Sequence, residues 1–373
     1  MDDSMNAARL KKITAALKAS SLDALALNPS PSLLYATGLH LHLMERPTVI
    51  LFKTDGRVGI ILPELESPKL NELAYPAEGF PYNENPATWT DAFRKAINFL
   101  DLDGKKIGVE PLAMRILEYR FLQAAAPQAT FPDATEAIAS LRIRKDANEI
   151  ASMRKAVEIA QNALEATLPM IKIGASEKEI AAELVIQLLK HGSEAPFPFQ
   201  PIVSGGPHSA NPHAAPSERK LQEGDLLVID WGAMFNGYVS DITRTFAIGE
   251  IDAEYRKIHE ITQAANAAGR AAAKPGLPAS VVDIAARKVI EDAGYGEYFT
   301  HRTGHGIGME AHEAPYMRAD NERILEEGMA FTVEPGIYLP NRNGVRVEDD
   351  MVITANGAES LTTLPRKIRV LGK

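Results

Sequence analysis

At 373 residues the chain exceeds what one ordinary hydrophobic core absorbs, so two domains are the first expectation. Hydrophobic residues at 45% and charged residues at 24% describe a soluble globular protein, while a net charge of −9 with no Lys/Arg-rich run argues against a nucleic-acid surface. Cysteine is absent, which excludes disulfides and a thiolate zinc site. MDDSMNAARL at the start has neither the basic residues nor the apolar stretch of a signal peptide, and no apolar run reaches membrane-spanning length, so a cytoplasmic location with no membrane partner is expected.

Residues 5–20, with Leu10, Ile13 and Leu17 at helical spacing, predict an amphipathic helix. ALALN reads as an apolar strand, and PTVILF with GRVGIIL reads as a hairpin pair across Lys53 to Gly56. A helix over 87–100, a strand at KKIGVE, a helix over 111–125 and a short strand near Phe131 complete a mixed α/β unit. His40 and His42, beside Gly38, read as ordinary loop residues. The boundary falls in LRIRKDANEI, dividing the chain into residues 1–143 and 144–373. There Asp146 and Glu149 form a capping-box pair, and Ile150, Met153, Val157, Ala160 and Leu164 follow as one apolar stripe.

The second domain repeats itself. KIGASEKEIAAELVIQLLKHG (172–192) and KPGLPASVVDIAARKVIEDAG (274–294) superimpose with a shift of 102 residues, matching Gly174 and Gly192 to Gly276 and Gly294. Ser176 with Glu179 and Ser280 with Asp283 both offer capping chemistry, although their positions do not align. Each half delivers two helices and then a strand bearing a carboxylate, so a site between the halves would receive two acids from each.

Those acids are Asp230 in LLVIDWG, Asp241 in VSDITRTF, Glu334 in FTVEPG and Glu348 in VRVEDD, joined by His305 in RTGHGIG. Each lies in or beside an apolar, β-prone segment, where an uncompensated carboxylate is costly, so a shared counter-ion is expected. Asn236-Gly237 predicts a hairpin turn that sets Gly232 opposite Asp241 and makes Asp230 its diagonal neighbour, roughly 7–8 Å away by Cα. Such a pair can converge on two ions about 3.5–4 Å apart. His301, His305 and His312 fall within a Gly-rich, extended stretch, where Gly304 and Gly306 would let a ligand approach the backbone. Arg346 shares a face with Glu348 and can orient it or bind a substrate carboxylate. Mainly hard oxygen donors with one imidazole suit Mn²⁺, Fe²⁺ or Co²⁺, and four carboxylates balance two divalent ions with room for a bridging hydroxide.

With these segments, residues 146–373 resemble the pita-bread metallopeptidases, the family of methionine aminopeptidase, aminopeptidase P and prolidase. The preceding domain is similar to the creatinase-type domain of prolidases and aminopeptidases P. The resemblance implies an α+β protein: a creatinase-like N-terminal α/β domain, then a duplicated catalytic domain with a pseudo-two-fold axis. It implies two divalent metal ions, Mn²⁺ foremost and Co²⁺, Fe²⁺ or Zn²⁺ as alternatives. Asp230 would chelate one ion, Asp241 and Glu348 would bridge both, and His305 and Glu334 would each complete one ion's ligand set. His213, in SGGPHSANPH, matches the histidine that contacts substrate near the scissile bond, and His312 the one that stabilises the tetrahedral intermediate or its leaving group. His301 matches the additional histidine of Xaa-Pro enzymes, Arg346 their substrate-orienting arginine, and Glu334 the residue that shuttles the proton to the proline nitrogen.

The implied activity is hydrolysis of the bond before proline by a metal-bridging hydroxide, on Xaa-Pro dipeptides first and on longer peptides as the alternative. Because an Xaa-Pro amide has no N–H, packing around the ring must carry specificity, and Phe197, Phe199 and Tyr338 are candidate walls. A creatinase- or ectoine-hydrolase-like C–N hydrolase and a non-catalytic binding module compete, but such relatives lose ligands and this chain keeps all five. Methionine aminopeptidase is disfavoured by the large first domain. The resemblance also implies a homodimer in which the loop around Tyr35–Arg46 of the other copy restricts the active-site mouth.

Overall fold

A computed structural model describes residues 3–372, with side chains from residue 8 onward, so the first two residues of MDDSMNAARL lie outside the described part. The chain divides into two compact units, residues 1–142 and 143–373. The first contains α1 (Asp3–Ala19), β1 (Ala24–Leu27), α2 (Pro31–Thr37), β2 (Val49–Lys53), β3 (Val58–Pro63), β4 (Glu78–Tyr82), α3 (Trp89–Leu100), β5 (Ile107–Val109), α4 (Ile116–Ala125) and α5 (Thr135–Arg142). Its five strands run in the order β4-β3-β2-β1-β5, with β2 antiparallel to β1 and β3, and with β4 and β5 added in parallel. Ala24, Ala26, Val49, Leu51 and Ile61 meet Phe93, Ala96, Ile97 and Leu100 of α3 in one core. Each large aliphatic or aromatic side chain buried there contributes roughly 1.5–3 kcal/mol.

Several expectations need correction in this unit. The helix placed at 111–125 starts only at Ile116, because the backbone N–H groups of Ala113 and Met114 first turn back to donate to the Glu110 carbonyl. No strand forms at Phe131; two isolated bridges, Lys106 to Thr130 and Val109 to Asp133, fasten that segment to the edge of β5. Tyr35 is not in a loop. It lies in α2, 2% exposed, and its hydroxyl donates to the Leu141 carbonyl at 2.8 Å. Only the residues after Gly38, which closes α2 in a left-handed conformation, run irregularly, with His40 and His42 exposed.

The second unit opens with α6 (Ala147–Thr167), whose Asp146–Glu149 capping box forms as expected. It continues with α7 (Glu177–Lys190), β6 (Ile202–Gly205), β7 (Leu226–Trp231), β8 (Met234–Phe235), β9 (Tyr238–Val239) and β10 (Ile242–Ile248). Then come α8 (Ala253–Ala272), α9 (Ser280–Asp292), β11 (Gly304–Gly306), β12 (Glu313–Met317), β13 (Ala330–Val333), β14 (Gly336–Tyr338), β15 (Gly344–Arg346), β16 (Asp349–Thr354), β17 (Gly357–Ser360) and β18 (Arg369–Leu371). The duplication is visible throughout: paired helices α6 and α7 precede the antiparallel ladder β6-β7-β10, and paired helices α8 and α9 precede the antiparallel ladder β11-β13-β16. All four matched glycines take positive φ: Gly174 (87°), Gly192 (98°), Gly276 (83°) and Gly294 (83°). The capping match is only half present. Ser176 caps α7 with a full capping box, whereas α9 begins after Ala279 with no side-chain cap, and Asp283 has another task.

The hairpin carrying the first two acids follows its turn signal. Asn236 and Gly237 both take positive φ (50° and 74°), and β8 pairs with β9 in the register that continues into β7 and β10. Asp230 therefore pairs with Thr243, and Gly232 falls opposite Asp241. A Cβ at Gly232 would run into the Ser240 carbonyl. We expect Gly232→Ala to lower unfolding stability by about 1–3 kcal/mol, read by chemical denaturation. An unchanged denaturation midpoint would contradict this packing.

Candidate metal centre

Two strand pairs bring the acids together. Asp230 sits near the end of β7 and Asp241 just before β10; Glu334 follows β13 and Glu348 precedes β16. β7 is fixed beside the site because the Trp231 indole, fully buried, donates to the Ala160 carbonyl of α6 at 2.8 Å. His305 stands at the centre of β11, 3% exposed. Only Gly304–Gly306 of the histidine stretch is strand, and its glycines make room for neighbouring strands rather than for a ligand. A Cβ on Gly304 would meet the Thr332 carbonyl, and one on Gly306 the Ala314 carbonyl.

Among the described residues, three groups each offer ligand atoms within 4.8 Å of one another: Asp230, Asp241 and Glu348; His305, Glu334 and Glu348; and Asp241, His305 and His312. Glu348, Asp241 and His305 each belong to two groups. His305 and Glu334 stand in one group together, their Nε2 and Oε1 atoms 3.2 Å apart. His305 Nδ1 lies 3.1 Å from the Gly306 carbonyl, which can only accept, so Nδ1 carries a proton and Nε2 is aimed at the carboxylates. Oδ1 of both Asp230 and Asp241 is buried without a hydrogen-bond partner. Orphaned carboxylate oxygens converging with an imidazole fit divalent cations, since unpaired buried acceptors are otherwise costly.

The electrostatics agree. Burial pushes Asp241 well above the usual carboxylate range, and the charges of Glu348, Asp230, Asp350 and Glu334 push it further. Glu348 is raised likewise, by burial and then by Glu334 and Asp230. Burial also raises Asp230, against the opposing pull of Arg346. Glu334 goes the other way: burial raises it, but the hydrogen bond and charge of His305, with His301 and Arg346, hold it at about 2.

Arg346 ties the halves together. Its Nη2 donates to Asp230 Oδ2 at 2.5 Å, its Nε to Thr243 Oγ1 at 3.0 Å, and its Nη1 to the Tyr338 hydroxyl at 3.0 Å and the Pro212 carbonyl at 3.2 Å. Thr243 Oγ1 in turn donates to Glu348 Oε2 at 2.6 Å. The guanidinium, 3% exposed, thus grips Asp230 directly and reaches Glu348 only through Thr243. Tyr338 is buried, and its hydroxyl serves this network instead of forming a purely apolar wall. His301 Nδ1 donates to the Arg302 carbonyl at 2.7 Å, so its Nε2 accepts from the Tyr338 hydroxyl at 2.9 Å, engaging both ring nitrogens within the protein. His312 is exposed, its ring centroid 4.0 Å from that of His305. His213 is exposed in the loop after β6, where Arg346 holds the carbonyl of the preceding Pro212. Phe197 and Phe199 are half-buried.

Sequence reasoning missed the supports. Asp350 Oδ2 accepts the Asp241 backbone N–H at 3.0 Å. Asp349, fully buried, accepts from Arg244 Nη2 at 2.8 Å and Arg366 Nε at 2.6 Å, while Arg244 Nη1 donates to the Glu348 carbonyl at 2.6 Å. VRVEDD carried a signal for these, since two further acids inside a strand also need partners.

This arrangement coincides with a known class. The model of metallopeptidase family M24 matches residues 151–355, the Creatinase/Prolidase N-terminal domain matches residues 9–144, and the chain belongs to that family. It is 36% identical to a Xaa-Pro dipeptidase of Pyrococcus horikoshii over 365 residues, covering 96% of this chain and 98% of the relative. Among solved structures, it is similar to the dipeptidase PepE from Mycobacterium ulcerans (TM-score 0.92, 35% identity, both chains covered completely). It is equally similar in fold to a recombinant prolidase from Thermococcus sibiricus (TM-score 0.92, 33% identity, both chains covered completely).

The raised carboxylates have a consequence for stability. In metal-free protein, Asp241, Glu348 and Asp350 bind protons more tightly folded than unfolded, where Asp and Glu titrate at 3.8 and 4.5. Their stabilisation is complete below those values and is lost as pH rises through the higher folded ones; Glu334 and the histidines His259, His301 and His312, all depressed, work in the opposite sense. Because a divalent cation competes with the protons on these carboxylates, we expect Mn²⁺ to raise the Tm of EDTA-treated protein more at about pH 7 than at about pH 5. A Mn²⁺-induced rise in Tm that is equal at the two values, or larger at the lower one, would refute this.

Proposed function

We propose that the chain is a two-metal Xaa-Pro peptidase that cleaves Xaa-Pro dipeptides. The observation that carries this reading is the convergence of Asp230, Asp241, His305, Glu334 and Glu348 on common volumes, with two aspartate oxygens left unpartnered. The dipeptide preference is supported by the full-length similarity to the Pyrococcus horikoshii protein, which is named a Xaa-Pro dipeptidase.

When bound, two divalent ions supply Lewis acidity and an activated nucleophile, with Mn²⁺ the ion that best suits this hard donor set. Asp241 and Glu348, the carboxylates common to two groups, would bridge the ions; Asp230 would serve one, and His305 with Glu334 the other. Glu334, grouped with His305 and Glu348, would be the carboxylate to take a proton from the attacking water and pass it to the proline nitrogen. His312 and His213 are the exposed rings able to meet the substrate. His301, with both ring nitrogens bonded to protein groups, and Arg346, with four hydrogen bonds to them, would act by fixing Tyr338 and Asp230. Phe197 and Phe199 remain the candidates for packing on the proline ring.

We expect Mn²⁺-loaded protein to release proline from Ala-Pro, and Asp241→Ala to abolish this while the far-UV spectrum is unchanged. Full turnover after exhaustive EDTA dialysis would sink the two-metal reading. Assaying Ala-Pro beside Ala-Pro-Ala separates dipeptidase from aminopeptidase: comparable cleavage of the tripeptide would replace the first with the second. We also expect a homodimer by gel filtration coupled to light scattering, and a monomeric mass would contradict it.

A further inference from the structure

The segment between β6 and β7 carries His213, yet it has no regular structure beyond a short 3-10 turn at Gly206–Ala210. What holds it is a carboxylate on α7. Glu177 has no exposed surface, and its two oxygens collect donors from both ends of the segment. At the near end, Gly205 N donates to Oε1 at 2.8 Å, and His208 Nδ1 lies 2.9 Å from Oε2. At the far end, Ser217 donates to Oε2 through its backbone N (3.0 Å) and its Oγ (2.6 Å). The crest is fixed separately: Ser209 Oγ accepts the Gly344 N–H at 2.8 Å, and Arg346 holds the Pro212 carbonyl. One buried acid therefore closes the base of a loop whose crest is held by Arg346, the arginine that grips Asp230.

The other half of the duplicated domain uses the same device. Asp283 on α9, 1% exposed, accepts Thr303 N at 2.9 Å and Thr303 Oγ1 at 2.7 Å. Its partner Arg287 donates to the Phe299 and His301 carbonyls at 3.0 and 2.8 Å. In both halves, then, a buried carboxylate in the early part of the second helix takes an N–H and an O–H from a Ser or Thr flanking a histidine segment.

We propose that Glu177 is a positioning residue that places His213 for the substrate by clamping both ends of its loop. This rests on the assignment of His213 to substrate contact. A buried carboxylate with this many donors could instead be a plain stabilising staple, and the distinction is measurable. In Mn²⁺-loaded full-length protein, kcat and KM on Ala-Pro are measured for Glu177→Gln, Ser217→Ala, His213→Ala and the Glu177→Gln/His213→Ala double variant. Amide hydrogen exchange is followed over 205–217 and over β7 and β10.

Loss of loop placement should lower kcat/KM roughly 10²-fold in Glu177→Gln and less in Ser217→Ala. The double variant should be no worse than His213→Ala alone, and faster exchange should be confined to the loop. Wild-type kinetics in Glu177→Gln, losses that add to that of His213→Ala, or faster exchange spread through β7 and β10 would each overturn the proposal. If Glu177→Gln does not fold, Ser217→Ala alone and combined with His213→Ala decides by the same criteria. If His213→Ala keeps wild-type kinetics, the assignment of His213 is wrong. The clamp then stands if loop exchange alone accelerates and falls if it does not.

Discussion

Four carboxylates brought together inside a protein repel one another and lose their hydration at once, and the second unit is built around that cost. Only a rigid frame can impose it. Each acid is delivered at a strand end, where the ladder fixes its direction, and none depends on a flexible loop. The protein supplies limited compensation of its own: Arg346 for Asp230, His305 for Glu334, and the Thr243 hydroxyl for Glu348. Asp241 receives none through its side-chain Oδ1, which lies buried without a partner. The deficit is what makes the site a receptor for cations rather than a salt-bridge network.

The supports divide by half. Asp230 and Asp241 are diagonal neighbours on one hairpin, whereas the register of β13 and β16 sets Glu334 and Glu348 face to face. The duplication is thus preserved in helices, glycines and ladder order but not in the placement of the acids. Thr243 and Arg346 bridge this difference, drawing Asp230 from the first half and Glu348 from the second towards shared volumes. The Arg244–Asp349–Arg366 group does similar work behind Glu348, holding its backbone from the side away from the ligand atoms.

What the sequence disclosed was what broke local rules. Acids inside apolar strand segments stood out, and Asn236-Gly237 fixed the hairpin register because two positive-φ residues leave a two-residue turn little choice. The capping box at Asp146 and Glu149 marked the start of α6 for the same reason: its chemistry is local. Glu177 and Asp283 were not legible, since a buried acid whose partners lie tens of residues away looks in sequence like any polar residue, and VRVEDD signalled only that Asp349 and Asp350 need partners, not which ones. Asp283 was even misread as a cap, because Ser280-x-x-Asp283 has the right spacing and only the fold shows Thr303 beneath it. The short α2 escaped for a related reason: its seven residues hold position through Tyr35 reaching Leu141, a contact that no periodicity encodes.

β18 gives the domain a particular order of assembly. Its residues Arg369–Leu371 pair in parallel with Phe246–Ile248 of β10, so the outer strand of the first half's sheet comes from beyond the second half. Arg244, on that same β10, also holds the Leu364 and Pro365 carbonyls. The first half is therefore unfinished when it leaves the ribosome and stays so until residue 371 has emerged.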